Sequence, residues 1–271
     1  MTRSNAVVLI TGASSGFGQA MAQLLSERGY VVYGTSRKAA GDDALPYTML
    51  RMDVTDSASV GDGIQQVMER ENRIDVLINN AGIGVAGAFE DTSIEEAKRQ
   101  FETNFFGIVR VTQEVLPHMR QRKTGMIINI SSIGGLVGLP FQGFYSASKF
   151  AIEGLTESLR LEVAPFNIRV TNINPGDFHT RFTDNRVVTQ KALEGAYSDR
   201  FKQVLAIYEE DEIKGAKPAV LAERVEKVIR KKSPKVRYLT GMLSQRIVTV
   251  LKPLMGSKGF ELLMKGHYKI R

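Results

Sequence analysis

The sequence predicts an α/β fold built on a doubly wound parallel sheet, and three observations carry that prediction. Apolar runs of strand length alternate with stretches of helical period over residues 6–173. The strand runs are apolar at successive positions, the pattern of strands covered on both faces. A glycine-rich turn, Thr11-Gly-Ala-Ser-Ser-Gly-Phe-Gly18, separates the first strand from the first helix.

In order, residues 6–10 read as a strand that ends in Thr11-Gly12, and 17–27 as a helix closed by Gly29. Residues 31–35 and 47–52 are the second and third strands, with a helix over 57–71 after them. A strand over 74–78 precedes a long helix over 94–119, with Pro117 near its end. The strand 126–130, a helix over 145–163 stopped before Pro165, and the strand 168–173 complete the series. Crossovers between parallel strands are expected to be right-handed. After Pro175-Gly176 the pattern breaks. Residues 177–217 are polar and mixed, with moderate helix signals and the acidic run Glu209-Glu210-Asp211-Glu212; they read as a substrate lid. Pro218 opens a helix through about Lys231. There is no internal repeat and no low-complexity linker, so residues 1–271 are expected to form one catalytic domain.

A chain of 271 residues is long enough to bury one large core. No run is long and uncharged enough for a membrane span, and the first residues lack a signal-peptide pattern. Cysteine is absent, which excludes disulfides and fits a reducing, cytoplasmic setting. His118, His179 and His267 lie far apart in sequence, so no histidine metal site is expected. The net charge of +7 is uneven: residues 213–271 hold 15 Lys/Arg and 3 Asp/Glu, a balance of +12, and residues 1–212 a balance of −5.

Gly12, Gly16 and Gly18 let the backbone pass close to a pyrophosphate, while the helix beyond offers free N–H groups and the positive end of its dipole. Gly12, Ser14 and Gly16 also spell G-x-S-x-G, the nucleophile turn of certain hydrolases. That layout takes an oxyanion donor from an earlier loop, and here only the first strand precedes the turn. At the end of the second strand an acidic residue would bind ribose hydroxyls and repel a 2′-phosphate. This chain has Ser36-Arg37-Lys38 instead. Arg37 can fork onto a phosphate, Lys38 adds a point charge, and Ser14 or Ser15 can add a hydroxyl. NADP(H) is therefore expected over NAD(H), against the blander possibility of a solvated basic turn.

Tyr145 and Lys149, four residues apart, share one helix face. A phenol beside an ammonium group is a general acid/base whose pKa is expected to be pulled down toward neutrality, a demand of about 4 kcal/mol. Alone, the pair could be an ordinary surface Tyr and Lys.

Together these pieces resemble the short-chain dehydrogenase/reductase family, in its Y-x-x-x-K subclass. The match runs over residues 7–180 and comprises Thr11-Gly-x-x-x-Gly-x-Gly18, Asp53, Asn79-Asn80-Ala81-Gly82, Asn104, Ser132, Tyr145-x-x-x-Lys149, and Pro175-Gly176 with Thr180. Within it, the chain looks most like members acting on hydroxysteroids, retinoids and related lipids. The resemblance implies a Rossmann-type fold and hydride transfer between a nicotinamide and a carbonyl or secondary alcohol. It implies that Gly12, Ser14, Ser15, Gly16, Phe17 and Gly18, with Arg37 and Lys38, hold the cofactor's phosphates. Asp53 and the Val54 backbone meet its adenine, and Asn80, Ala81 and Gly82 lie under it. Pro175, Gly176 and Thr180 flank its carboxamide. Tyr145 gives or takes the proton, Ser132 holds the substrate oxygen, with Ser131, aimed differently beyond the strand end, as the alternative, and Lys149 lowers the Tyr145 pKa and binds the ribose. Asn104 holds a water in the proton relay. Asp177 departs from the pattern, standing where relatives often carry an apolar residue. Homodimers or tetramers are common in the family.

Leu136, Val137, Leu139 and Phe141 favour a nonpolar substrate, with simple packing as the alternative. Residues 242–271 form a basic amphipathic segment, with Leu243, Ile247, Val250, Leu251 and Leu254 on one face. Two readings stay open. The stripe packs over the substrate pocket or a second subunit, as apolar stripes usually do, or it lies on an anionic membrane surface. Nucleic acid is not expected, because the basic residues alternate with bulky aliphatics and form no binding motif. The main reading is a carbonyl reductase. Its rival, a nucleotide sensor on the same fold, has no need of the Ser132, Tyr145 and Lys149 set.

Overall fold

The computed structural model describes residues 5–38, 45–180 and 186–270. Residues 181–185 of the expected lid, Arg271 of the C-terminal segment and the first four residues lie outside the described residues. In chain order the strands are β1 (Val7–Thr11), β2 (Val31–Ser36), β3 (Thr48–Arg51), β4 (Val76–Asn79), β5 (Val85–Ala86), β6 (Gly125–Ile130), β7 (Ile168–Pro175), β8 (Val187–Val188) and β9 (Arg237–Thr240). The α-helices are α1 (Gly16–Glu27), α2 (Ser57–Glu71), α3 (Ile94–Phe101), α4 (Gly107–Gln121), α5 (Gly143–Val163), α6 (Gln190–Glu194), α7 (Ser198–Lys214), α8 (Pro218–Ile229) and α9 (Leu243–His267).

Seven strands form one parallel sheet in the order β3-β2-β1-β4-β6-β7-β9, a Rossmann-type arrangement, while β5 pairs with β8. Successive side chains of a strand point to opposite faces. Thus Val8 and Ile10 pack on the α1 and α8 side with Met21, Leu25, Leu221 and Val225. Val7 and Leu9 pack on the other side with Val60, Val111, Val115 and Val163, from α2, α4 and α5. Continuous apolar strands are needed because neither face meets water. Strand order reverses between β1 and β4, and ligands bind such sheets at the carboxyl ends beside that reversal.

Local signals set the helix starts. Asp56 caps α2 by accepting the N–H groups of Ala58 and Ser59, and Ser93 with Glu96 forms a capping box on α3. Four expectations are corrected. The helix expected over 94–119 is broken by a π-helical turn at Glu102–Phe106, which carries Asn104. The helix expected from Tyr145 begins two residues earlier, at Gly143. The region with weak periodicity contains the 17-residue α7, whose buried contacts are only Phe201, Val204 and Tyr208, too few to write a strong pattern. The seventh strand, β9, is absent from the sequence reading, because an edge strand reading Arg-Tyr-Leu-Thr needs no apolar run.

The C-terminal stripe is also corrected. It does not pack over the pocket: Leu243 is 66% exposed, Val250 61% and Leu254 79%. The opposite side of α9 faces the body. There Lys252 Nζ donates to the Leu136 carbonyl at 2.5 Å and lies over the Phe150 and Phe260 rings.

Candidate active site

The glycine turn leaves β1 at the point of strand reversal. Gly12 has φ +69°, and a Cβ there would stand 2.9 Å from the Ala81 Cα. A Cβ on Gly18 would stand 2.2 Å from the Gly12 carbonyl oxygen, so Gly18 seats α1 against the turn. The stretch after β4 fixes the turn from the other side. Thr11 Oγ1 accepts the N–H groups of Asn80 and Ala81 at 2.9 and 3.0 Å. Asn80 Nδ2 donates to the carbonyls of Thr11 and Gly12 at 2.9 and 3.0 Å. Ser15, the N-cap of α1, makes no side-chain cap bond, so the amides of the first turn are left for a ligand.

One cleft of about 1300 Å³ runs from this turn across the carboxyl ends of the strands. Ser14, Ser15, Gly16 and Phe17 line it, with Arg37 and Lys38 beyond β2, Asp53 and Val54 beyond β3, and Asn80, Ala81 and Gly82 beyond β4. Ser132, Tyr145, Lys149, Pro175, Gly176 and Thr180 line the same cleft. Arg37 and Lys38 are exposed, free to meet an anion. Asp53 is partly spent locally, because its Oδ1 accepts from the Thr55 amide and hydroxyl at 2.9 and 2.8 Å. Gly18 and Asn104 are not on the wall. Asn104 is fully buried, takes the Ile83 N–H at 2.8 Å and donates to the Ile83 carbonyl at 3.0 Å. Its side chain shapes the exit of β4 from behind, with no atom on the cleft wall.

Tyr145 and Ser132 share a side-chain hydrogen bond, and Ser132 Oγ accepts the Gly134 N–H at 3.0 Å. Ser131 turns its hydroxyl into the body, where it is buried without a partner. Lys149 Nζ donates to the Ile130 carbonyl at 2.9 Å and stands 5.8 Å from the centre of the Tyr145 ring.

The electrostatics correct the expected pull on Tyr145. Burial pushes its phenol up, to about 12; the Ser132 bond lowers it, Glu212 and Asp177 raise it, and Arg186 lowers it. Burial pushes Lys149 down, to about 8, against the attraction of Glu153. Both groups resist charge because both are desolvated, and this outweighs the proximity effect read from the sequence.

Beneath the pair lies a polar layer that the sequence reading missed. Asn174 Nδ2 donates to the Ser132 carbonyl at 3.1 Å and to Glu153 Oε1 at 2.7 Å, and Arg237 of β9 donates to Glu153 Oε2 at 3.1 Å. Asn79, Asn129 and Asn172 are register partners across β4, β6 and β7. Asn79 donates to Asn129 at 2.9 Å, Asn129 to Thr156 at 2.9 Å, and Thr156 to Asn172 at 2.6 Å. Thr156 belongs to α5, so the row ties the helix carrying Tyr145 and Lys149 to the sheet. The signal was present: asparagine recurring inside apolar strand runs has to be bonded when buried.

Helices α7 and α9 close the far side of the cleft. Val137, Leu139, Val248, Leu263 and Met264 give it apolar walls, while Leu136 and Phe141 lie off it. Asp177, Asp211, Glu212 and His267 give it a polar one. Arg186 pairs with Glu212, and His267 Nε2 lies 3.2 Å from Asp211. Asp177 holds Gln245: its N–H donates to Gln245 Oε1 at 3.0 Å, and Gln245 Nε2 donates back to its carboxylate. Burial, Asp211 and Glu212 push the Asp177 carboxyl up to about 7.

A family profile described as short chain dehydrogenase matches residues 6–191. A 3-ketodihydrosphingosine reductase of Bacteroides thetaiotaomicron is 46% identical over 266 residues, covering 98% of this chain and 98% of that protein. The crystal structure of a short-chain dehydrogenase from Streptomyces avermitilis has a TM-score of 0.75 and 32% identity, over 97% of this chain and 99% of that one. A 3-ketoacyl-(acyl-carrier-protein) reductase from Brucella melitensis, complexed with NADH, has a TM-score of 0.74 and 25% identity, over 88% of this chain and 98% of that one.

Proposed function

The chain belongs to the short-chain dehydrogenase family, and from that premise we propose that it is an NADP(H)-dependent reductase of a long-chain lipid ketone. The observation that carries this reading is the Tyr145 phenol, buried, bonded to Ser132 and held protonated, in the same cleft as the glycine turn. The residues fit a nicotinamide dinucleotide: the open amides of α1 would hold its phosphates, the bare backbone of Gly12 would admit it, and Arg37 and Lys38 would take a 2′-phosphate. Bound there, it supplies the hydride.

The residues of the chain do the rest. A phenol with its pKa raised to about 12 is an acid across the physiological range, so Tyr145 donates its proton to the carbonyl oxygen as the carbon is reduced. Ser132 bonds the same oxygen, on a backbone fixed by Asn174. Lys149 keeps a positive charge beside the phenol below about pH 8 and stabilises the phenolate as it forms. Asn104 acts from behind, through its hold on Ile83.

The substrate class follows from the walls. Apolar Val137, Leu139, Val248, Leu263 and Met264 suit an alkyl chain. The substrate named for the Bacteroides relative carries an amino group on the carbon beside its ketone. Asp177, which lines the same cleft as Tyr145, is the carboxylate that would face such an ammonium group, and a bound cation would restore its charge. Helix α7, within the described part of residues 177–217, serves as the lid of a single catalytic domain. Exposed Phe150 and Leu161 on α5 offer a subunit contact for a homo-oligomer.

A ketone panel tests this reading through NADPH absorbance: 3-ketodihydrosphingosine, a ketone of equal length without the amino group, and a short soluble ketone. The expected result is turnover of all three, with kcat/KM highest for the first. No turnover of any would leave a nucleotide-binding protein without catalysis.

A further inference from the structure

We propose that the outer face of α9 is a docking surface for an anionic lipid bilayer, and that the cleft opens toward that bilayer beside Leu263. The inference goes beyond the reductase reading and can be tested without turnover.

The apolar side chains are uncovered on both sides of the Gly256 kink. Leu243, Ile247, Val250, Leu251 and Leu254, at spacings that place them on successive turns of one side, and Leu262 beyond the kink, are 40–79% exposed. Gly256, with φ +65°, breaks the helix between Leu254 and Leu262, and both halves carry exposed leucines. This side cannot turn inward, because the other side is already engaged: Lys252 bonds the Leu136 carbonyl, Phe260 and Tyr268 are buried, and Gln245 bonds Asp177.

Two further observations identify the occupant. Residues 243–270 carry three exposed basic side chains, Lys258, Lys265 and Lys269, against one acidic one, Glu261, which pairs with Lys265; Arg246 is half-buried and Lys252 is turned to the body. Apolar side chains set among cations match the boundary between acyl chains and anionic headgroups. A subunit interface would gain nothing from that charge excess, since the matching face of a second copy carries the same sign. Moreover, Leu263 is 39% exposed and also lines the cleft that holds Tyr145, so the apolar outside and the apolar inside meet at one residue. Among the described residues no helix is long and apolar enough to cross a membrane, so the contact is with one leaflet.

The experiment is vesicle sedimentation of the full chain, with vesicles of phosphatidylcholine alone and of equimolar phosphatidylcholine and phosphatidylglycerol. Wild-type protein is expected to pellet with the anionic vesicles, weakly with the neutral ones, and much less at about 0.5 M salt. The double variant Leu254→Glu/Leu262→Glu, which leaves the cleft wall untouched, is expected to lose at least about tenfold in vesicle affinity. Its melting temperature and its turnover of a short soluble ketone should be those of the wild type. Wild-type protein that stays in the supernatant overturns the proposal, and so does a double variant that pellets equally. A double variant whose mass by light scattering falls, with no vesicle binding by the wild type, also overturns it and assigns the face to a second copy.

Discussion

The Lys149 ammonium stands 5.8 Å from the centre of the Tyr145 ring, and both groups are held away from their charged forms by burial. The phenol is thus a ready acid, and the ammonium the group that titrates in the accessible range. Their pKa values, about 12 and about 8, set the pH behaviour of the reduction. Below about 8 Lys149 is charged and Tyr145 protonated, so kcat/KM for reduction should be level from about pH 6. Above about 8 it should fall as Lys149 loses its proton. Steady-state rates across that range check this; a rate that rises through pH 8 would contradict it.

Asp177 has a folded-state pKa of about 7 against an ordinary 3.8. A carboxyl raised on folding binds its proton more tightly in the native state. Its contribution to stability is fully present below about pH 4 and is lost as pH rises through about 7. Asp177→Asn should therefore match the wild type at acid pH and exceed it in melting temperature above pH 7. It should also raise KM for an amino ketone by about tenfold and leave the KM of the corresponding simple ketone unchanged. Equal losses on both ketones would remove Asp177 from amine recognition.

Arg37→Asp replaces the proposed 2′-phosphate ligand by a charge that would repel the phosphate. NADPH affinity should fall by about tenfold or more, with preference moving toward NADH, as read by kcat/KM for each cofactor. An unchanged preference would place the 2′-phosphate elsewhere.

Asn174→Ala removes the link between the Ser132 carbonyl and Glu153 and leaves a buried carboxylate with Arg237 as its remaining bonded partner. Loss of about 2 kcal/mol is expected in urea unfolding, with a fall in kcat and little change in NADPH affinity. Unchanged stability and kcat would make the layer incidental.

Much of this architecture is legible in the sequence, for identifiable reasons. The central strands announce themselves because a two-sided sheet requires unbroken apolar runs, and the glycine turn because Gly12 and Gly18 tolerate no Cβ. The elements lost to sequence reading have weak or divided signals. Strand β9 is an edge, α7 buries few residues, and the π-turn at Asn104 is invisible to a helical period. Burial also decided two points that spacing could not. It set the direction of the Tyr145 shift, and it left the α9 stripe outside while the cleft wall came from the other side of the same helix.

The central claim is that Tyr145 delivers the proton beside a bound dinucleotide. The most direct measurement pairs NADPH fluorescence titration with single-turnover reduction in Tyr145→Phe. The account predicts NADPH affinity within about twofold of wild type and a reduction rate lower by about a thousandfold or more. Reduction at anything near the wild-type rate, with the cofactor still bound, would contradict it.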